Sequence, residues 1–143
     1  MITLELWYGL IVSLINIALQ AIATVATIRL LRVASTRLTA HRKVATLMVV
    51  MMMTAAVLTL AHIIQVRIWA LSYVMVGAVA HAQNAFYLAF VNFTTLGYGD
   101  ILPSPDWRIL GPLTAANGML LFGWSTALMF AVLSRVLRLL RIN

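Results

Sequence analysis

The sequence predicts an all-α membrane protein with three transmembrane helices and one shorter apolar segment that enters the membrane and returns on the same side. The first observation is composition: 64% of the 143 residues are hydrophobic and 9% are charged, whereas soluble domains carry about a quarter charged residues. The second is a mean hydropathy of +1.03. The third is that long apolar runs alternate with short basic or turn-forming segments.

Charge and the absence of cysteine exclude several function classes. Without cysteine the chain has no disulfide, thiolate metal site or cysteine nucleophile. The net charge of +7 is compatible with nucleic-acid binding, but the basic residues lie at the ends of apolar runs, which indicates membrane orientation. We expect membrane lipids as partners, no nucleic acid and no cofactor.

The first apolar run extends from Leu6 to Ile28. At about 1.5 Å per residue it can cross a hydrocarbon core of about 30 Å. A signal peptide is the alternative. The residues before the run hold Glu5 and no lysine or arginine, and the run exceeds a usual signal-peptide core, so we favour a retained helix.

A basic linker from Arg29 to Lys43 follows. Apolar sequence resumes at Val44 and forms the second predicted span. We place the end of this span near Leu71, with Gly77 breaking the apolar connection beyond it.

The next apolar segment, Ala85 to Phe93, is too short to cross a bilayer, and Thr94–Asp100 and the turn-forming Pro103–Pro105 follow it. This segment must therefore enter and leave on one side. Unpaired backbone groups cost several kcal/mol each in hydrocarbon, so the non-helical part must be buried in protein or line a water-filled path.

The last predicted span runs from Ile109 to Leu133, with Gly111-Pro112 in its first turn, where proline is tolerated. It ends in three arginines: Arg135, Arg138 and Arg141. Their three-residue spacing is also found in voltage sensors, but their position favours anchoring at the headgroups.

Charge predicts the orientation of the spans. Most of the ten basic residues lie in the linker and at the C-terminus, which share one side of the membrane. By the positive-inside rule this side is cytoplasmic, so we expect the N-terminus and the re-entrant loop outside.

The loop has a pattern suited to binding a dehydrated potassium ion. Such an ion needs a cage of oxygens, and successive carbonyls point one way when right- and left-handed dihedrals alternate. Thr95-Leu96-Gly97-Tyr98-Gly99 has glycine at alternate positions, a threonine hydroxyl at the inner end, and a tyrosine that can pack outward as a spacer.

The segment Thr94–Asp100 resembles the signature of the potassium-channel pore-domain family, differing from its commonest form by Leu96 in place of valine. Gly118 and Gly123 resemble the glycine pair of bacterial potassium-channel inner helices. The likeness is strong over about a third of the chain and weak over the second span. The first span lies outside the minimal plan of this family.

The resemblance implies roles for further residues. Potassium would be coordinated at Thr95, Leu96, Gly97 and Tyr98 as the permeant ion, within a selectivity filter that extends to Gly99. Thr94, Asp100 and Tyr87 would support this filter. The cavity would be lined by Met119, Phe122, Thr126 and Phe130, which share one helical stripe, and Gly118 and Gly123 would form a hinge.

One filter segment cannot surround an ion, so four copies around a central pore are required. We expect a homotetramer, and a heterotetramer with a related chain stays open. Residues 1–43 would form an N-terminal helix and cytoplasmic linker, and residues 44–143 the pore domain. The resemblance implies a potassium-selective channel, not an enzyme, in the bacterial inner membrane.

Several alternatives stay open at this stage. The glycine pair also suits close helix packing, and the cavity stripe also suits a lipid-facing surface. The pore could be weakly selective or need a partner subunit. A purely structural subunit and an intramembrane serine enzyme, with Ser125 beside His62 or His81, are the remaining classes, although no acidic residue is apparent to orient a histidine.

Overall fold

The computed structural model describes residues 2–37 and 43–140. These residues form four α-helices: α1 (Ile2–Arg37), α2 (Lys43–Met75), α3 (Ala82–Phe93) and α4 (Leu110–Leu140). A short 3-10 turn, Pro105–Trp107, precedes α4. No strand occurs in this described part of the chain, so the all-α prediction is confirmed.

Three of the helices are long and apolar enough to cross a membrane. The qualifying segments are Thr3–Arg32, Val44–Met75 and Pro105–Leu139. They correspond to the three predicted spans. Large apolar side chains such as Trp7, Met52 and Leu60 are exposed along them, as expected where lipid replaces water.

The predicted spans end before the observed helices do. Helix α1 continues to Arg37, so Arg29 and Arg32 of the predicted linker are helical, which arginine's good helix propensity permits. Residues 38–42 of that linker lie outside the described residues. Helix α4 continues past Leu133 to Leu140, and Arg141 also lies outside the described residues.

Helix α2 ends at Met75, beyond the predicted Leu71, because the structure stops it with a glycine cap. Gly77 has φ +70°. The amide of Gly77 donates to Val74 O at 3.0 Å, and the amide of Ala78 donates to Tyr73 O at 2.9 Å. This pair of bonds is a Schellman motif, in which glycine supplies the left-handed residue.

Contacts between the helices define their directions. The Glu5 side chain of α1 lies beside Ile109 at the start of α4, and Leu31 packs with Val132 and Val136 near the ends of both helices. Helices α1 and α4 therefore run parallel. Val50 in the first half of α2 joins the Leu31 cluster, so α2 runs antiparallel to both.

Helix α3 is held between α2 and α4. The hydroxyl of Tyr73 on α2 lies 2.7 Å from Thr114 Oγ1 on α4 and accepts from Asn92 Nδ2 on α3 at 3.2 Å. After α3 the chain returns to the segment between α2 and α3, where the Ser104 amide donates to Ala78 O at 2.9 Å. The segment that follows α3 is thus hydrogen-bonded to the bundle at both of its ends.

Candidate functional site

The loop Thr94–Asp100 begins on the last turn of α3. The amides of Thr95 and Leu96 donate to Asn92 O and Val91 O, each at 2.9 Å. These bonds satisfy carbonyls that a helix end leaves free. The first residues of the loop are therefore fixed relative to α3.

The sign of the backbone φ angle alternates along the loop. Thr95, Gly97 and Gly99 have φ of 60°, 61° and 75°, and the residues between them have no positive φ. The sequence predicted this conformation at the two glycines, and the structure adds Thr95. A left-handed β-branched residue costs about 1–3 kcal/mol, and such strain is concentrated at functional sites.

The loop is open along its length. Residues 95–100 are all exposed, including 54% of Leu96 and 68% of Tyr98. A Cβ added at Gly97 or Gly99 would meet nothing within 4 Å. The chain therefore needs these glycines for backbone conformation, and the residues of the loop are uncovered.

The structure brings together two of the three predicted supporting residues. The Tyr87 hydroxyl on α3 donates to Asp100 Oδ2 at 2.8 Å. This bond raises the pKa of Tyr87, so the phenol keeps the proton that it donates. Thr94 instead bonds locally, with its hydroxyl donating to Phe90 O at 2.8 Å.

The two predicted hinge glycines have different surroundings. A methyl group at Gly118 would overlap the Phe93 carbonyl at the end of α3, whereas one at Gly123 would meet nothing within 4 Å. Helix α4 is unbroken through both positions. Close packing, the alternative interpretation of the pair, is therefore present at Gly118, and a bend at either glycine stays a prediction.

The predicted cavity residues lie on α4 with exposed side chains. Met119 is 59% exposed and Phe130 is 70% exposed, and Thr126 is also exposed. Phe122 differs because its ring packs against Phe93 at 5.4 Å and His62 at 4.7 Å between centroids. The four thus share an open helix surface, and Phe122 also contacts the end of α3.

A ring of hydrogen bonds that the sequence did not predict joins α1, α2 and α4. Gln65 Nε2 donates to Gln20 Oε1 at 3.0 Å, and Gln20 Nε2 donates to Ser125 Oγ at 2.8 Å. Ser125 Oγ lies 3.0 Å from His62 Nε2, and His62 Nδ1 lies 2.8 Å from Gln65 Oε1. Because an amide oxygen only accepts, Nδ1 carries a proton, and in the neutral imidazole Nε2 then accepts from Ser125.

A second group of polar side chains adjoins this ring. Asn117 Oδ1 on α4 accepts from Asn16 Nδ2 on α1 at 3.2 Å and from Trp69 Nε1 on α2 at 3.1 Å. Among the residues that the structure describes, the Oδ1 atom of Asn16 is buried and has no hydrogen-bond partner. We call the seven residues of the ring and this group the polar network: Asn16, Gln20, His62, Gln65, Trp69, Asn117 and Ser125.

A further polar contact lies at the start of α4. Glu5 is 6% exposed, and its Oε2 accepts from the Ile109 amide at 3.3 Å. A carboxylate at a helix N-terminus satisfies a free amide and complements the helix dipole. Helix α1 therefore caps α4.

One sequence signal could have found the polar network. Amides are costly in hydrocarbon and usually mark helix contacts, and Asn16 and Gln20 are spaced four residues apart on one face of α1. In the sequence alone, Asn16 and Gln20 only interrupt an apolar run. His62, which is isolated in the sequence, gains its partners only through packing.

One comparison with known proteins gives a match. A family model described as an ion channel matches residues 60–135, more than half of the chain. The match covers the second part of α2, all of α3, the loop and most of α4, and it excludes α1. No curated protein and no solved structure matches the chain.

Proposed function

The chain belongs to the ion channel family, and we propose that it is one subunit of a potassium-selective channel. In this proposal the carbonyls of Thr95, Leu96, Gly97 and Tyr98 coordinate the permeant ion in a filter that ends at Gly99. The observation that carries the proposal is the alternation of left-handed residues at Thr95, Gly97 and Gly99. Such alternation aims successive carbonyls toward one side, as a row of ion sites requires.

The position of α3 supports a re-entrant arrangement. Its last residue, Phe93, contacts His62 on α2 and Gly118 on α4. His62 lies about 20 Å along α2 from the end that precedes α3, at 1.5 Å per residue. The carbonyl end of α3 would thus point into the membrane interior, where its partial negative charge favours a cation.

The exposed loop supports a tetramer. A single chain leaves Leu96 and Tyr98 mostly uncovered, although apolar and aromatic groups are normally buried. Four copies around an axis would surround the ion and cover these side chains. We favour identical copies, with a related chain as the alternative partner.

Helix packing supports the proposed orientation. Glu5 and Ile109 are in contact, so the N-terminus of α1 lies at the end of the bundle where α4 begins. Arg32 and Arg135 line one groove at the other end. By the positive-inside rule this second end is cytoplasmic, in a bacterial inner membrane, and the filter faces outward.

The test is ion flux through the purified protein in liposomes. We expect potassium efflux that sodium cannot replace, and loss of this preference in Gly97→Ala because alanine disfavours φ 61° by about 1–2 kcal/mol. Gly123→Ala is the matched control, since its added methyl meets no neighbour.

Each alternative hypothesis predicts a different result in this flux assay. Equal sodium and potassium flux in the wild type would indicate a weakly selective pore. Flux that appears only after a related chain is added would indicate a partner-dependent subunit. Flux that Gly97→Ala leaves unchanged would contradict the filter assignment and favour a structural role.

One observation favours an enzyme as the second candidate. Ser125, His62 and Gln65 form a hydrogen-bonded chain in the order of a catalytic triad. However, Ser125 is only 7% exposed, and its oxygen already accepts from Gln20. A serine-reactive probe that labels the wild type but not Ser125→Ala would support the enzyme.

A further inference from the structure

A groove between the C-terminal ends of α1 and α4 is not used by the proposed conduction path. Its cavity volume is about 200 Å³. Six apolar side chains and two arginines line this basic groove: Ile28, Leu31 and Arg32 from α1, and Leu128, Ala131, Val132, Arg135 and Leu139 from α4.

The two arginines lie near the ends of the apolar runs of α1 and α4, a position typical of basic side chains that reach lipid headgroups. Arg32 lies one helical turn beyond Ile28, where the apolar run of α1 ends. Arg135 lies two residues after Leu133, the predicted end of the last span, and both arginine side chains are exposed. The apolar lining residues, such as Leu128, lie toward the hydrocarbon.

The charge of this end of the bundle is positive. The three acidic side chains of the whole chain belong to Glu5, Asp100 and Asp106, which lie in the first turns of α1 and in the segment before α4. Guanidinium groups match the geometry of phosphate oxygens and bind them through paired hydrogen bonds. Basic pockets between transmembrane helices bind anionic lipid headgroups.

We propose that the basic groove binds one anionic phospholipid per subunit. Its phosphate is held by Arg32 and Arg135, and one acyl chain lies along the apolar lining. A lipid is the occupant that matches both parts of the groove, because a soluble phosphate would leave the apolar part uncovered. The proposal requires a membrane protein but does not depend on potassium selectivity.

The test is native mass spectrometry of the purified protein after equilibration with mixed phosphatidylglycerol and phosphatidylcholine. We expect phosphatidylglycerol to bind preferentially, at one molecule per subunit. Arg135→Gln should weaken this binding roughly fivefold, as expected for about 1 kcal/mol per basic residue. Arg138→Gln removes the same charge from the last turn of α4, outside the groove lining, and should have a smaller effect.

A second variant tests the apolar part of the groove without changing its charge. Ala131→Phe should fill the groove and reduce phosphatidylglycerol binding, and added inorganic phosphate should not displace the lipid. Equal losses in Arg135→Gln and Arg138→Gln would show diffuse surface attraction and overturn the proposal. Displacement of the lipid by inorganic phosphate would also overturn the proposal. So would an Ala131→Phe variant that loses subunit assembly but keeps its bound lipid, because this would show that a second copy of the chain fills the groove.

Discussion

Two polar regions lie within the apolar part of this chain, and their surroundings are opposite. Residues 95–100 of the loop are exposed, with strained backbone at Thr95. The polar network is buried, with Gln20, Gln65 and Trp69 at 0% exposure, and its members bond one another. The loop is open in a single chain, whereas the network residues bond one another within one chain, apart from the Oδ1 atom of Asn16, which has no partner among the described residues.

This difference distinguishes residues whose contacts would form on subunit assembly from residues whose contacts form when one chain folds. Groups left open in a lipid-embedded protein must meet water, an ion or another subunit, because lipid satisfies none of them. In the proposed tetramer, the loop therefore belongs to what four chains would build together. The polar network belongs to what one chain builds alone, and it joins α1 to the region matched by the ion channel family.

The largest effect should come from Gly118→Ala, which acts where the two regions meet. The added methyl would overlap the Phe93 carbonyl, and backbone cannot move aside as a flexible side chain does. Overpacking of this kind costs about 1–3 kcal/mol or more. Thermal unfolding of the purified protein should show a clear loss of stability, and a stable variant would mean that α3 packs elsewhere.

A loss of stability of comparable size should follow Gln65→Leu in the polar network. This change removes the donor to Gln20 Oε1 and the acceptor for His62 Nδ1, leaving buried partners unpaired at about 1–3 kcal/mol. The proposed potassium preference should be unchanged. A Gln65→Leu variant that loses potassium preference but keeps its stability would contradict the distinction between the loop and the polar network.

The matched control for that prediction is Gln83→Leu. Gln83 lies in the first turn of α3 with an exposed side chain. The same substitution there breaks no bond of the network, so its unfolding midpoint should stay close to that of the wild type.

The smallest effect should come from Tyr87→Phe at the loop. The variant loses the hydroxyl that donates to Asp100 at 2.8 Å, an exposed bond, so global stability should hardly change. Single-channel recording should instead show shorter open periods, because the loop loses a tie to α3. Tyr8→Phe removes a longer bond, 3.4 Å to Ser72 O, and should not alter them.

The sequence predicted the elements better than their contacts. Apolar length located three spans, and the alternating glycines indicated a left-handed loop, since both signals are local. The position of Thr95 was missed because the hand of a non-glycine residue depends on what holds it. The partner of Gln20 was missed because Gln65 lies 45 residues away on another helix. Ser125, which is 63 residues from His62, was expected beside it only in the enzyme alternative.

The parallel packing of α1 and α4 has a consequence for biogenesis. Chains emerge from the ribosome N-terminus first, so Asn16 and Gln20 enter the bilayer well before Asn117 and Ser125 exist. Gln20 can pair with Gln65 as soon as α2 arrives, which gives a helical hairpin with one amide contact. The bonds to Asn117 and Ser125 form only when α4 inserts beside α1, so α4 supplies hydrogen-bond partners that α1 lacks until then.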